Sequence, residues 1–206
     1  MNDKYPAELN VDYPEQSDRL TTFFRLVLVI PIIIILSLLT NGDVYNNEVD
    51  DNSITWAASG IVVIPTILLL VFRRKYPKWW YDWNLALTKF SMRVFAYLFL
   101  LRDEYPSTDE EQGVHIEIPY PNVEKELNQW LPLVKWFLAI PHIIVLCFLY
   151  LVVIILTIIA WFAILFTGNY PRDLFDFVVG VARWTMRVSA YALLLTTDVY
   201  PPFSLK

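Results

Sequence analysis

The stretch MRVFAYLFLL, Met92 to Leu101, returns later in the same chain as MRVSAYALLL, Met186 to Leu195. Sliding the sequence along itself by 94 positions lays Tyr76 to Leu101 over Tyr170 to Leu195 with ten of twenty-six residues identical, which predicts a tandem duplication. Upstream, a shift of 110 lays FFRLVLVIP over LVKWFLAIP and pairs Arg25 with Lys135 and Pro31 with Pro141. The difference of 16 equals the length of a loop, Thr40 to Thr55, that only the first half carries. Each half closes on an acidic residue and a Tyr-Pro, RDEYP at Arg102 to Pro106 and TDVYP at Thr197 to Pro201. Further Tyr-Pro pairs open the halves at Tyr13-Pro14 and Tyr120-Pro121. Proline fixes its own φ and turns the preceding residue away from helix, so these segments read as rigid arms.

Composition places the chain in a membrane. Of 206 residues 56% are hydrophobic and 18% charged, with a mean hydropathy of +0.44, too little polar surface for a soluble domain of this size. The apolar residues fall in runs at 20–39, 56–72 and 127–166. A hydrocarbon core of about 30 Å takes roughly 20 helical residues, so the third run predicts two spans, at 130–148 and 151–166. The turn between them, near Leu149 and Tyr150, contains none of the usual Gly, Pro, Asn or Asp. The net charge of −5 comes from the polar segments and suggests neither nucleic-acid binding nor a polybasic anchor. Cys147 stands alone in an apolar run, so it forms no intrachain disulfide and reads as core filler. The first nineteen residues are acidic on balance and no small-residue cleavage site follows the first run, which predicts an anchor that is retained.

The repeated helices, 78–101 and 172–195, carry a polar stripe. On a helical wheel Lys78, Asp82, Ala86, Lys89, Arg93 and Tyr97 share an arc of about 100°. Arg172, Asp176, Gly180, Arg183, Arg187 and Tyr191 repeat it. Several mid-helix charges at the bilayer centre would cost about 2.5–3.5 kcal/mol each, so these helices are expected to lie in the interface. The stripe then reads as a solvated face, with a lipid-headgroup or partner site as the sharper alternative. Ala86 or Gly180 would let another helix approach closely. Asp82 and Asp176 are expected to meet the cations of the other half.

These assignments give an all-α integral membrane protein of two repeats, residues 1–106 and 107–206, each a helical hairpin followed by an amphipathic interfacial helix. About four transmembrane helices result. The predicted outer segments hold none of the 16 Lys and Arg residues, so the positive-inside rule places both termini in the cytoplasm. Arg25 and Lys135 are expected to snorkel to that side. If the striped helices spanned as well, there would be six spans and inverted repeats, with the second half's cations on the wrong side.

RLTTFFRLVLVIP near the start, FLAIPHIIVL at Phe137 to Leu146, WFAILFTGNYPRDLFDFVVGVARW at Trp161 to Trp184 and RVSAYALLLTTDVYPPFSL at Arg187 to Leu205 resemble a family of bacterial membrane proteins, domain-of-unknown-function family 4389. The resemblance covers nearly the whole chain and implies a bacterial cytoplasmic membrane, but no activity. The first half departs from it in its extra loop and in Ile32, where the second half has His142.

Signatures of chemistry are absent. Five glycines form no phosphate-cradling loop, and there is no H-E-x-x-H, C-x-x-C or G-x-S-x-G. His115 reads as a solvated loop residue, and the acidic run at Ser107 to Gln112 as a solvated linker. His142 follows Pro141 inside an apolar span, which makes it a functional candidate, although it could simply bond a carbonyl that the proline frees. Five aromatics in YPKWWYDW, Tyr76 to Trp83, suit an interfacial anchor. We therefore expect a non-catalytic membrane scaffold or accessory subunit with no cofactor and no metal. Its partners would be membrane lipids and either another integral membrane protein or further copies of itself, through Lys78, Asp82, Lys89, Arg93, Tyr97, Arg172, Asp176, Arg183, Arg187 and Tyr191. A transporter or channel for lipids or small solutes is the alternative, followed by an enzyme acting on lipid headgroups.

Overall fold

The computed structural model describes residues 5–40 and 59–206. Strand β1 (Glu8–Val11) precedes helices α1 (Arg19–Thr40), α2 (Ser59–Arg73) and α3 (Lys78–Leu98). Strand β2 (Val114–Glu117) follows, then a short helix α4 (Val123–Glu126), a 3-10 turn at Leu131–Leu133, and helices α5 (Lys135–Thr167) and α6 (Arg172–Ala192). The chain is mostly helical, and α1 and α5 are long and apolar enough to cross a membrane.

The hairpin expected in the second half does not form. Residues 135–167 make one helix of 33 residues, with no turn at Leu149 and Tyr150, about 50 Å long at 1.5 Å per residue. The physical reason lies in the residue types. Between Pro141 and Gly168 no Gly, Pro, Asn or Asp interrupts the run, so helix propagation continues until Gly168 takes φ 80° and donates its N–H to the Ile164 carbonyl at 2.7 Å. In the first half the 16 extra residues fall between α1 and α2. Helix α1 therefore matches the start of α5, and α2 its end. The 15 residues of α2 span about 22 Å, short of a full crossing. Most of the predicted outer loop, Thr40 to Thr55, and the start of the second predicted span lie outside the described residues.

The polar arms hold a two-stranded ribbon that the all-α expectation missed. Strand β1 pairs antiparallel with β2, with Glu8 opposite Glu117, Leu9 opposite Ile116 and Asn10 opposite His115. Leu9 and Ile116 are buried while Asn10, His115 and Glu117 face solvent, the period-two alternation of a half-buried strand. Laying ELNVDYP over HIEIPYP matches Leu9 with Ile116, so the ribbon is centred on a matched pair.

Three layers result, and their order positions the polar side chains of α3 and α6. The ribbon packs on the striped helices with its halves crossed: β1 lies on α6 and β2 on α3. Helices α1 and α5 pack side by side and cover α3 and α6 respectively. Five consecutive residues of α6, Val178 to Ala182, are buried, which requires a helix covered all round its circumference. By contrast α5 buries one stripe only: Lys135, Ala139, His142, Leu146, Val153, Ala160 and Ile164. Its remaining faces are exposed Ile, Leu, Val and Phe.

Candidate functional site

Two matched clusters join the apolar layer to the ends of the striped helices. Arg25 is 2% exposed; its Nη1 donates to the carbonyls of Tyr97 and Arg102, each at 2.9 Å, and its Nη2 pairs with Asp103. Its guanidinium carbon lies 4.5 Å from the centre of the Tyr97 ring. In the second half Lys135 is fully buried, donates to the Thr197 carbonyl at 2.7 Å, pairs with Asp198 at 2.7 Å and lies 5.0 Å from the Tyr191 ring centre. Tyr97 meets Tyr105 edge-on at 5.7 Å, and Tyr191 meets Tyr200 in the same way at 5.8 Å. The chain arrives at each aspartate through a leucine in the left-handed region, Leu100 at φ 64° and Leu195 at φ 56°, a conformation that costs about 1–2 kcal/mol for a residue with a Cβ. Snorkelling is thereby corrected: Arg25 and Lys135 turn inward because a carboxylate, a carbonyl and an aromatic face await them there. Asp103 and Asp198 were legible only as the repeated acid before each Tyr-Pro.

The stripes face the ribbon and the tails. Arg183 Nε donates to the Leu9 carbonyl at 2.9 Å and its Nη2 to Asn10 Oδ1 at 3.3 Å. Arg93 donates to the Ser107 carbonyl at 2.9 Å and Arg187 to the Ser204 carbonyl at 3.2 Å; both are buried, so the C-terminal end of each stripe is not a solvated face. Burial, and then the neighbouring Arg183 charge, push the Arg187 guanidinium below its ordinary pKa. Lys89 borders a groove of 530 Å³ beside Tyr5, Glu8 and Ile116. Gly180 does provide a close approach, but to the C-terminal tail, since a Cβ there would lie 2.8 Å from the Leu205 carbonyl oxygen. Ala86 is exposed.

The aspartates do not cross between halves. Asp82 pairs with Lys78 at 3.0 Å and Asp176 with Arg172 at 4.0 Å, each one turn back on its own helix. The crossing is made by the same two cations and the Tyr-Pro arms instead. Arg172 sits 4.7 Å over Tyr13 and Lys78 5.8 Å over Tyr120. Tyr13 donates to the Tyr170 carbonyl, Tyr120 to the Tyr76 carbonyl, and each packs edge-on against the first turns of the helix it meets, Tyr13 on Phe175 at 5.0 Å and Tyr120 on Tyr81 at 5.1 Å.

His142 is fully buried, and its Nδ1 accepts a hydrogen bond from Trp184 Nε1 at 3.0 Å. An accepting Nδ1 carries no proton, so the ring is neutral with its hydrogen on Nε2. It stacks on Phe203 with ring centres 3.9 Å apart. The indole, not the carbonyl freed by Pro141, is its partner. In the first half the matched positions are Ile32 and Phe90, both buried in one apolar cluster, so the polar pair is replaced as a unit. His115 is exposed as expected and pairs with Asp12 at 3.1 Å.

A cleft of 360 Å³ opens between β1, α6 and the C-terminal tail, beside Tyr5, Asn10, Arg183, Arg187 and Lys206. Among the described residues no group of three His, Cys, Asp or Glu side chains could hold a metal ion.

A mostly helical protein with two membrane-length helices is the class this architecture defines. Residues 132–204 match the family model described as Domain of unknown function (DUF4389), the family that the motifs of the chain resemble. No curated protein and no solved structure matches the chain.

Proposed function

We propose that the chain is a non-catalytic membrane scaffold or accessory subunit, made by tandem duplication of one unit and held in a bacterial cytoplasmic membrane. The observation that carries this reading is where the repeated cations go. Arg25, Lys135, Arg93, Arg183 and Arg187 all donate to backbone carbonyls of neighbouring segments. Side chains committed in this way hold a shape; they do not converge on a reacting atom. Duplication is supported by the clusters and crossed contacts that recur at matched positions. The surface left for a partner is the ribbon side, with its exposed carboxylates and its cleft, and the partner is another integral membrane protein or a further copy.

Native nanodiscs taken from the membrane and weighed intact test this. The expected result is a stoichiometric second polypeptide or a defined homo-oligomer. A monomer carrying only lipid, together with solute flux or substrate turnover by the purified protein in proteoliposomes, would overturn it.

A further inference from the structure

The apolar and polar surfaces of this protein lie on opposite sides of the α3–α6 layer. On one side are the exposed faces of α1 and α5; on the other the ribbon exposes Asn10, Asp12, His115 and Glu117. The buried stripe of α5 runs from Lys135 to Ile164, about 44 Å along the helix, so α5 lies along the layer for nearly all its length. Both of its ends meet comparable structures. Lys135 sits on Tyr191 and Asp198, while Trp161 donates to the Thr22 carbonyl one turn from Arg25, which sits on the matched Tyr97 and Asp103.

An upright α5 would carry the ribbon's charges to hydrocarbon depth, where each is costly. It would also exceed a core of about 30 Å by about 20 Å, more than ordinary tilts absorb. Lying flat removes both difficulties. A helix in the interface normally needs a polar face of its own, and α5 has none. Here the layer beneath supplies it, by burying Lys135 and His142 on the inner side.

We propose that the protein is monotopic: α1, α2 and α5 lie in the plane of one leaflet, their outer faces covered by lipid acyl chains, and the ribbon faces water. The acyl chains would cover Phe137, Ile144, Leu151, Ile158 and Phe166, all exposed in the structure. The inference rests on the membrane attachment proposed above and replaces crossing helices with embedded ones.

Nitroxides placed singly at those five positions, in a Cys147→Ala background of the full chain, report depth in phosphatidylcholine–phosphatidylglycerol vesicles from their accessibility to oxygen and to a polar nickel chelate. The expected result is one depth within about 5 Å, the interfacial range for embedded helices, with both end labels reduced by ascorbate from the same side and a label at Glu117 in water. A profile deepest at Leu151, with Phe137 and Phe166 reduced from opposite sides, overturns the proposal and leaves membrane attachment standing. Labels shielded from both quenchers, as by a second copy on that face, overturn it as well. Nickel access at all five positions sinks it together with the membrane reading. Labelling at Phe137 and Phe166 alone, each at an end of α5, repeats the decisive comparison should a central label disturb folding.

Discussion

Lys135 lies 2.7 Å from an Asp198 carboxylate oxygen with no exposure to solvent, at the position where the first half pairs Arg25 with Asp103. Removing one partner of such a pair strands a buried charge, at a cost of about 3–5 kcal/mol. Asp198→Leu is therefore expected to lower unfolding stability in detergent by that amount. Lys135→Met combined with Asp198→Leu should recover most of the loss, because no charge is then left unpaired. Equal losses in the single and double variants would show that packing, not charge, dominates the cluster.

The His142–Trp184 hydrogen bond is expected to behave as a replaceable unit. Trp184→Phe leaves Nδ1 without a donor, and His142→Ile leaves the indole without an acceptor; each should cost about 1–3 kcal/mol as an unsatisfied buried group. The double variant copies Ile32 and Phe90 of the first half. A double-mutant cycle by denaturant unfolding should show coupling of about 0.5–3 kcal/mol. Additive losses would mean that the bond contributes nothing beyond the two side chains.

Gly180 holds the C-terminal tail against α6. A methyl group there would lie 2.8 Å from the Leu205 carbonyl oxygen, and backbone has little room to move aside. Gly180→Ala should displace the tail, break the Arg187 bond to Ser204 and cost about 1–3 kcal/mol as an overpacked site. Carboxypeptidase digestion is expected to accelerate in that variant. An unchanged rate would place the tail's attachment elsewhere, for example in the stacking of Phe203 on His142.

Alkaline pH should loosen the contact between halves at Tyr76, whose hydroxyl donates to the Leu194 carbonyl at 3.1 Å. Burial pushes this tyrosine up from 10.0 to about 12. A raised folded value favours the neutral form, so its contribution is complete below pH 10, erodes as the unfolded chain ionises, and is lost as the pH passes about 12. Tyr76→Phe is expected to be less stable at neutral pH and to show a shallower fall between pH 10 and 12. Parallel curves for the two proteins would assign the alkaline loss to other tyrosines.

Much of the architecture can be read locally. The near copy of Met92 to Leu101 at Met186 to Leu195 is visible in the sequence, and the spacing of Lys78, Asp82, Lys89 and Arg93 places one face of a helix, because both depend on residue order and the 3.6-residue period alone. The apolar run at 127–166 likewise covers nearly all of α5, Lys135–Thr167. The pairing of Arg25 with Asp103 could have been suspected from the parallel recurrence of Lys135 and Asp198, yet nothing local says that the chain returns to the same point after 77 intervening residues.

Three features depended on the assembled chain. Whether the run around Leu149 turns or continues is not encoded by its composition, since an uninterrupted apolar segment suits a hairpin or a long helix; packing of a single stripe from Lys135 to Ile164 against α6 settles it. The ribbon joins Leu9 to Ile116 across more than a hundred residues, so the partner of each strand cannot be read from its own sequence neighbourhood. The fate of the stripe cations follows from that ribbon. Arg183 is a surface charge on an isolated helix and becomes a donor to the Leu9 carbonyl only because the arm of the other half crosses over to meet it.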